Sequence, residues 1–418
     1  MTFGSHVGTP ISILLIGLGC LATIPGAVFL IECLFGASYR PRRKPLAEPR
    51  QPRTVVLVPA HDESAAIAST VTALLRQLGP GDVVLVVADN CSDDTAKLAQ
   101  ANGASVIERR DAAHRGKGYA LAFGIEHLAS APPEVVVIVD ADCQVSPGGI
   151  QYLAQLAQRH HCPVQADYVL TPPEQPSGRS VVSALAFFVK NRVRPRGLAA
   201  LGLPCLLTGT GMAFPWEVLR KAPPTQDHLV EDMLMGLQLA ELGHAPRLAT
   251  DVHVTSAMPQ DGAAATAQRR RWEHGHIATI VEHAPRLLSA AIRRRQLGLL
   301  ALALDLLVPP LSLFVLALVV GAVVCALALL VGASPVSLWI FLGNLGAIGI
   351  GVLVGWFACG RELVRPRDFL AVPRYIAWKV PLYFSFFTRG RQRAWERTQR
   401  SGPPHFKRAE FDHFDEGA

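Results

Sequence analysis

Residues 135–145 read VVVIVDADCQV. Five β-branched residues followed at once by two aspartates mark a buried strand that ends in charge. Working outward toward the N-terminus, the same kind of unit recurs. Residues 54–58 (TVVLV) are a short apolar β run and 63–78 have helical periodicity. Residues 82–88 are again a strand, and Ser92 is expected to cap a helix that ends near Gly103. A brief strand at 105–107 and a helix at 117–128 lead back to 135–139. This βαβ succession predicts an α/β fold with a mostly parallel sheet and right-handed crossovers. The charged and polar residues fall just after strands: His61-Asp62-Glu63 after the first, Asp89-Asn90 after the second, Asp140 and Asp142 after the fourth. Ligands of open α/β sheets bind at the carboxyl ends of strands, so these groups should converge on one crevice. No GxGxxG follows the first strand, as a plain dinucleotide-binding fold would require.

Each of these stretches has a chemical and a structural reading. A DxD pair can ligate a divalent cation, and Mg²⁺ or Mn²⁺ on hard carboxylate oxygens neutralises a leaving diphosphate. In His114-Arg115-Gly116-Lys117-Gly118 the glycines let a backbone approach closely, and Arg115 or Lys117 can meet phosphate oxygens. The alternative there is a simple helix N-terminal turn. Glu231-Asp232 open a helical stretch (MLMGLQLAELG), as acids at helix starts commonly do, and Asp93 and Asp94 are read in that structural way. The run QRRRW at 268–272 offers Arg271 for bidentate anion contact and Trp272 as a flat apolar face, unless it is merely a solvated or lipid-facing helix. His61, His114, His253 and His274 are read as packing or surface residues.

Composition sets the setting. Of 418 residues half are apolar, only 17% are charged, and the net charge is +7. That pairing points to a membrane protein with basic cytoplasmic edges, and no aromatic-bearing basic cluster suggests nucleic acid. The eight cysteines are scattered, with no CxxC pair, so neither a disulfide framework nor a zinc site follows. Residues 11–36 are long enough to span about 30 Å of hydrocarbon. Residues 1–10 lack Lys and Arg, whereas Arg40, Arg42, Arg43 and Lys44 follow the run, placing the N-terminus outside and the next domain inside. Glu32 is expected at the interface or paired with one of those arginines. A second block (297–333), broken by Pro309-Pro310, and a third (336–358) give three crossings; Asp305 needs a partner. Residues 369–388 read as interfacial or re-entrant, and 181–200 as an amphipathic surface helix.

Taken in order, Asp89, Asp140-Ala141-Asp142, Glu231-Asp232 and Gln268-Arg269-Arg270-Arg271-Trp272 resemble the membrane-integrated family 2 glycosyltransferases, the synthases of cellulose, hyaluronan, chitin and poly-N-acetylglucosamine and their shorter relatives. The resemblance covers residues 53–280 closely. It implies a GT-A-type domain at 53–280, a transmembrane helix at 1–37, two more at 297–360, and a cytoplasmic interfacial segment and tail at 361–418. By resemblance Glu63 and Asp89 lie at the uridine, Arg115 and Lys117 at the phosphates, and Asp140 and Asp142 at the metal and sugar. Thr208-Gly209-Thr210-Gly211-Met212 looks like the loop beside the acceptor, with Gly209 in it. Asp232 would be the general base beside Glu231, and Gln268, Arg271 and Trp272 would complete the set. Here Asp62 replaces a commoner Asn, Ala88 stands where many members have Asp, and Val230 where Thr is frequent. The implied activity is inverting transfer from a UDP-sugar, of UDP-glucose or UDP-N-acetylglucosamine type, to a growing β-linked polysaccharide at the inner face of the plasma membrane. Three crossings are few for an export channel, so an accessory export or synthase subunit is an expected partner beside membrane lipid. Two alternatives stand: single transfer to a polyprenyl-diphosphate-linked acceptor, and a non-catalytic scaffold of a synthase complex.

Overall fold

The computed structural model describes residues 3–40, 51–171, 173, 176–223, 225, 228, 230–258, 263–361 and 364–389. They form two compact units, one from the chain up to 39, 181–201 and 276–389, the other from 51–180 and 202–275. Helix α1 (Phe3–Ser38) precedes the alternation β1 (Thr54–Ala60), α2 (Ile67–Leu75), β2 (Val83–Asp89), α3 (Thr95–Ala101), β3 (Ser105–Arg109), α4 (Lys117–Leu128) and β4 (Val135–Ile138). Next come β5 (Cys143–Val145), α5 (Gly149–His160), β6 (Val164–Thr171), α6 (Gly178–Phe188) and α7 (Arg194–Ala200), the last two joined by a π turn over Val189–Val193. The sheet is completed through β7 (Met212–Pro215), α8 (Trp216–Leu219), α9 (Glu231–Glu241) and β8 (Arg247–Ala257). Helices α10 (Ala263–Arg294), α11 (Leu297–Leu306), α12 (Leu311–Ala328), α13 (Val336–Gly355) and α14 (Val372–Arg389) follow.

The eight strands lie in the order β3-β2-β1-β4-β7-β6-β8-β5. The four strands read from the alternating N-terminal half pair in parallel. β7 then runs antiparallel between β4 and β6, and β5 antiparallel on β8. Val56, Leu57, Val86, Val137 and Ile138 are fully buried, which is why these strands read as unbroken apolar runs. The helix expected over 63–78 begins only at Ile67. Asp62 sits at φ 52°, and the N–H groups of Ala66 and Ile67 both turn back to the Glu63 carbonyl. Ser92 does not cap α3; its N–H and hydroxyl donate to the Asp62 carboxylate, at 2.6 Å for the N–H. The Asp93 carboxylate instead accepts the Thr95 N–H at 3.0 Å.

In the other unit three helical stretches are long and apolar enough to cross a membrane: Gly8–Ser38, Leu311–Val331 and Val336–Ala358. Large apolar side chains such as Ile13, Leu14 and Leu21 stand exposed on the first, as lipid-facing residues would. The Pro309-Pro310 break falls between α11 and α12, as the prolines demand. Residues 181–200 correct the expectation of a surface helix. Most of this stretch is buried, and Arg194 is clasped by two carboxylates far away in sequence. Its Nε donates to Glu32 Oε2 at 2.6 Å, and its Nη2 to the Asp305 carboxylate and, at 3.0 Å, the Asp305 carbonyl. Glu32 therefore pairs with Arg194 and not with the arginines that follow α1, and Asp305 has its partner. Beside this cluster α1 and α7 touch backbone to backbone: a Cβ added at Gly36 would collide with the Val193 carbonyl, and one at Gly197 with the Glu32 carbonyl.

Candidate active site at the carboxyl ends of the strands

Lys117 is the first residue of α4, and Gly116 before it turns the chain at φ 137°, a conformation that suits glycine. Its ammonium donates to the Asp140 carboxylate, just past the end of β4, and to the Gly209 carbonyl at 2.7 Å. Gly209 itself has φ 96°, and a Cβ there would lie 3.2 Å from Asp232 Oδ2 and 3.6 Å from Lys117 Nζ. The 208–211 loop is pinned from below by buried Gln165. Its amide donates to the Thr210 carbonyl at 2.9 Å, and its oxygen accepts the Thr208 N–H at 2.9 Å. Thr210 Oγ1 in turn accepts the Asp140 N–H at 3.1 Å. The loop, the strand end and Asp140 are thus one hydrogen-bonded assembly around a single ammonium, with Asp232 beside the Gly209 backbone.

Asp142 accepts the Ser256 hydroxyl of β8 at 3.0 Å through Oδ2. One ligating atom each from Asp140, Asp142 and Cys143 lie within 4.8 Å of one another. Burial, reinforced by Asp140, pushes the Cys143 thiol up to about 12, so it stays a neutral thiol beside two hard carboxylates. At the start of α9, burial and then the neighbouring Asp232 push Glu231 up to about 7, against the pull of Lys117 and Arg271. Burial alone would lower the Lys117 ammonium, but Asp140, Glu231 and Asp232 together hold it above the ordinary lysine value. Near neutrality the site therefore keeps its cation, while burial and Asp232 favour the protonated form of Glu231 far more than water would.

A second cluster lies at the ends of β1, β2 and β3. Asp89 is 4% exposed. Its Oδ1 accepts Arg109 Nη1 at 2.7 Å and the Asn90 amide at 2.9 Å. Arg109 also donates to Asp111 Oδ2 at 3.0 Å and to the His114 carbonyl at 2.8 Å, and its guanidinium lies over the Tyr119 ring. The Glu63 N–H is held by Thr95 Oγ1 at 2.8 Å. Asp62 and Asn90 both adopt left-handed φ of 52°, where Asp and Asn are tolerated. The Asp62 carboxylate there organises the 92–93 turn.

Residues 52–275, more than half the chain, match the family described as glycosyltransferase like family 2. This chain belongs to that family. The glycosyltransferase is similar in fold to a mannosyltransferase from Pyrobaculum calidifontis solved with GDP-Man and Mn²⁺, at 20% identity and a TM-score of 0.54, over 90% of this chain and 99% of that one. A glucosyl-3-phosphoglycerate synthase from Mycobacterium tuberculosis is 24% identical over 50% of this chain and 74% of its own, with a TM-score of 0.33. No curated protein matches. The glycosyltransferase is an enzyme whose α/β domain, with a mixed, mostly parallel sheet, is accompanied by apolar helices able to span a membrane.

Lys117, Asp140, Asp142, Gly209, Glu231 and Asp232 come together in the structure, and Arg271 is near enough to bias Glu231. Of the two basic residues proposed for phosphates, only Lys117 is built into this group. Arg115 is exposed and its side chain has no polar partner among the described residues. Gln268 is buried, and Trp272 half-buried on the helix that carries Arg271. Glu63 and Asp89 belong to the second cluster. Gln165, Ser256 and Arg109 escaped the sequence reading, because each acts on a partner 20 or more residues away and lies in no motif.

Proposed function

We propose that this glycosyltransferase moves a sugar from a UDP-sugar, of UDP-glucose or UDP-N-acetylglucosamine type, to a growing β-linked polysaccharide, with inversion. The observation that carries the reading is the convergence of Lys117, Asp140 and Asp232 around the Gly209 backbone. Asp140 and Asp142 fit Mg²⁺ or Mn²⁺, since each offers a carboxylate oxygen within 4.8 Å of the other and Ser256 orients Asp142. Bound there, such a cation supplies charge neutralisation at the leaving diphosphate. Lys117 adds a fixed positive charge on the same side, and Arg271 a guanidinium. Asp232 accepts the proton of the acceptor hydroxyl, while Glu231, buried beside it, takes up the proton that two adjacent carboxylates cannot both lack. Gln268 and Trp272 serve the acceptor; Glu63 and Asp89 serve the nucleoside. Residues 53–280 are cytoplasmic in this reading, the chain crosses the inner membrane three times, and residues 361–418 are also inside.

The test is transfer from a panel of radiolabelled nucleotide sugars by purified protein, with GDP-mannose included because the P. calidifontis mannosyltransferase was solved with it. Transfer from a UDP-sugar, abolished by EDTA, is expected, with product size separating polymer from single addition to a lipid. Asp232→Asn should still bind the donor but lose roughly 10²–10⁴-fold in transfer, as loss of a general base does. Near-normal transfer by this variant would remove Asp232 from the base position.

A further inference from the structure

We propose that Arg109 is a positioning residue for donor binding, setting the one oxygen of Asp89 that is left to receive a ligand and tying it to the loop that leads into Lys117. The proposal rests on the reading of Asp89 as a nucleoside contact. Arg109 closes β3, a position where a basic side chain usually points to solvent, yet only 11% of its side chain is exposed. Its three donor contacts go in three directions. One goes to Asp89 Oδ1 at the end of β2, one to the Asp111 carboxylate, and one to the His114 carbonyl in the loop before Gly116. Tyr119, from the first turn of α4, lies under the guanidinium at 5.4 Å and beside the His114 ring at 5.3 Å. Asn90 closes the circuit. Its N–H donates to the Arg109 carbonyl at 2.7 Å, its side-chain oxygen accepts the Asp111 N–H at 2.8 Å, and its amide donates to Asp89 Oδ1.

The consequence is an asymmetric carboxylate. Both donors land on Oδ1, and Oδ2 of Asp89 has no polar partner among the described residues. Two donors fixed by other bonds, Arg109 Nη1 and the Asn90 amide, meet at Oδ1, and the guanidinium fork that reaches Asp89 with one arm grips Asp111 with the other, so the remaining acceptor direction of Asp89 is set before any ligand arrives. Such an acceptor suits a base edge that presents an N–H. Because the same guanidinium holds the 111–114 turn, the base-side acceptor and the start of α4, which carries Lys117, are tied to one rigid group. Arginine is required for this, since lysine is a point charge without a fork.

Arg109 then acts through Asp89, and that gives the test. Calorimetric binding of UDP with Mn²⁺ is measured for wild type, Arg109→Leu, Asp89→Asn and the double variant, alongside donor KM, kcat and thermal unfolding. Arg109→Leu should weaken UDP binding ~10–100-fold, the scale of a lost charge-assisted hydrogen bond. Turnover at saturating donor should stay within a few-fold. In the Asp89→Asn background the same change should weaken binding by less than about threefold, because coupled residues are not additive. Fully additive losses, or unchanged UDP affinity in Arg109→Leu, overturn the proposal. Should Arg109→Leu fail to fold, Arg109→Lys, which keeps the charge and loses the fork, enters the same cycle with a smaller loss expected and the same outcome deciding. Wild-type protein that binds no UDP at all would instead sink the donor reading itself.

Discussion

Each unit of the molecule holds a cation among carboxylates, and the two arrangements differ in kind. Arg194 sits between Glu32 and Asp305 with 6% of its side chain exposed and its partners at 3% and 8%. Lys117 pairs with Asp140 and the Gly209 carbonyl, under the pull of Glu231 and Asp232 as well, with 23% of its side chain exposed and Asp140 at 30%. The first trio is dry, forked and joins three helices; opening it would strand charges with no water to receive them. The second is more open and built on an ammonium, a point charge without a fork, as the proposed donor site would need. Charge count alone does not separate a structural lock from a binding site. Burial and the choice of cation do.

The largest expected effect lies in the dry trio. Arg194→Leu leaves Glu32 and Asp305 buried and unpaired, which should cost on the order of 3–5 kcal/mol and show as a large fall in Tm of the detergent-solubilised protein. Arg194→Lys should recover only part of it, and a variant as stable as wild type would erase the contrast. In the more open group, Lys117→Met should cost clearly less stability than Arg194→Leu, since its pair is partly solvated. Donor affinity should nevertheless fall ~10–100-fold, measured as KM and calorimetric Kd, as for a lost contact to a charged group. A Tm loss equal to that of Arg194→Leu would make the two clusters the same kind of object. A third effect is a pH dependence. Burial and Asp232 push Glu231 up to about 7 in the folded protein from an ordinary 4.5, so the folded state holds more proton than the unfolded chain between those values. Stability should therefore fall as pH rises from about 4.5 to 7 and level off above, and Glu231→Gln should flatten that slope. An unchanged slope in the variant would place the titration elsewhere.

What was legible in the sequence is what depends on neighbours along the chain. The runs at 54–58 and 135–139 and the helix at 117–128 follow from local periodicity, and α4 begins and ends where that periodicity does. The carboxylates after the strands were legible because α/β sheets fix where strand ends go. What failed depended on partners distant in sequence. Residues 181–200 carry Lys190, Arg192, Arg194 and Arg196 among apolar residues, the pattern of a surface helix, and only Glu32 and Asp305 turn Arg194 inward. Arg109 looks like a solvated strand end until Asp89 is placed beside it. The short α2 was hidden because nothing in the periodicity announces that Asp62 takes a left-handed turn.

The backbone contact at Gly36 and Gly197 bears on how the N-terminal helix is to be regarded. An apolar leader of this length is commonly treated as a tether, interchangeable with any other of equal greasiness. Here it carries one jaw of the clasp on Arg194 and, one turn further, the notch into which the turn leading into α7 settles. Swapping it for a generic anchor would preserve hydropathy while discarding both the jaw and the notch. The leader is part of the machine's frame, and tags, truncations and chimeras at this end act on the folded body itself.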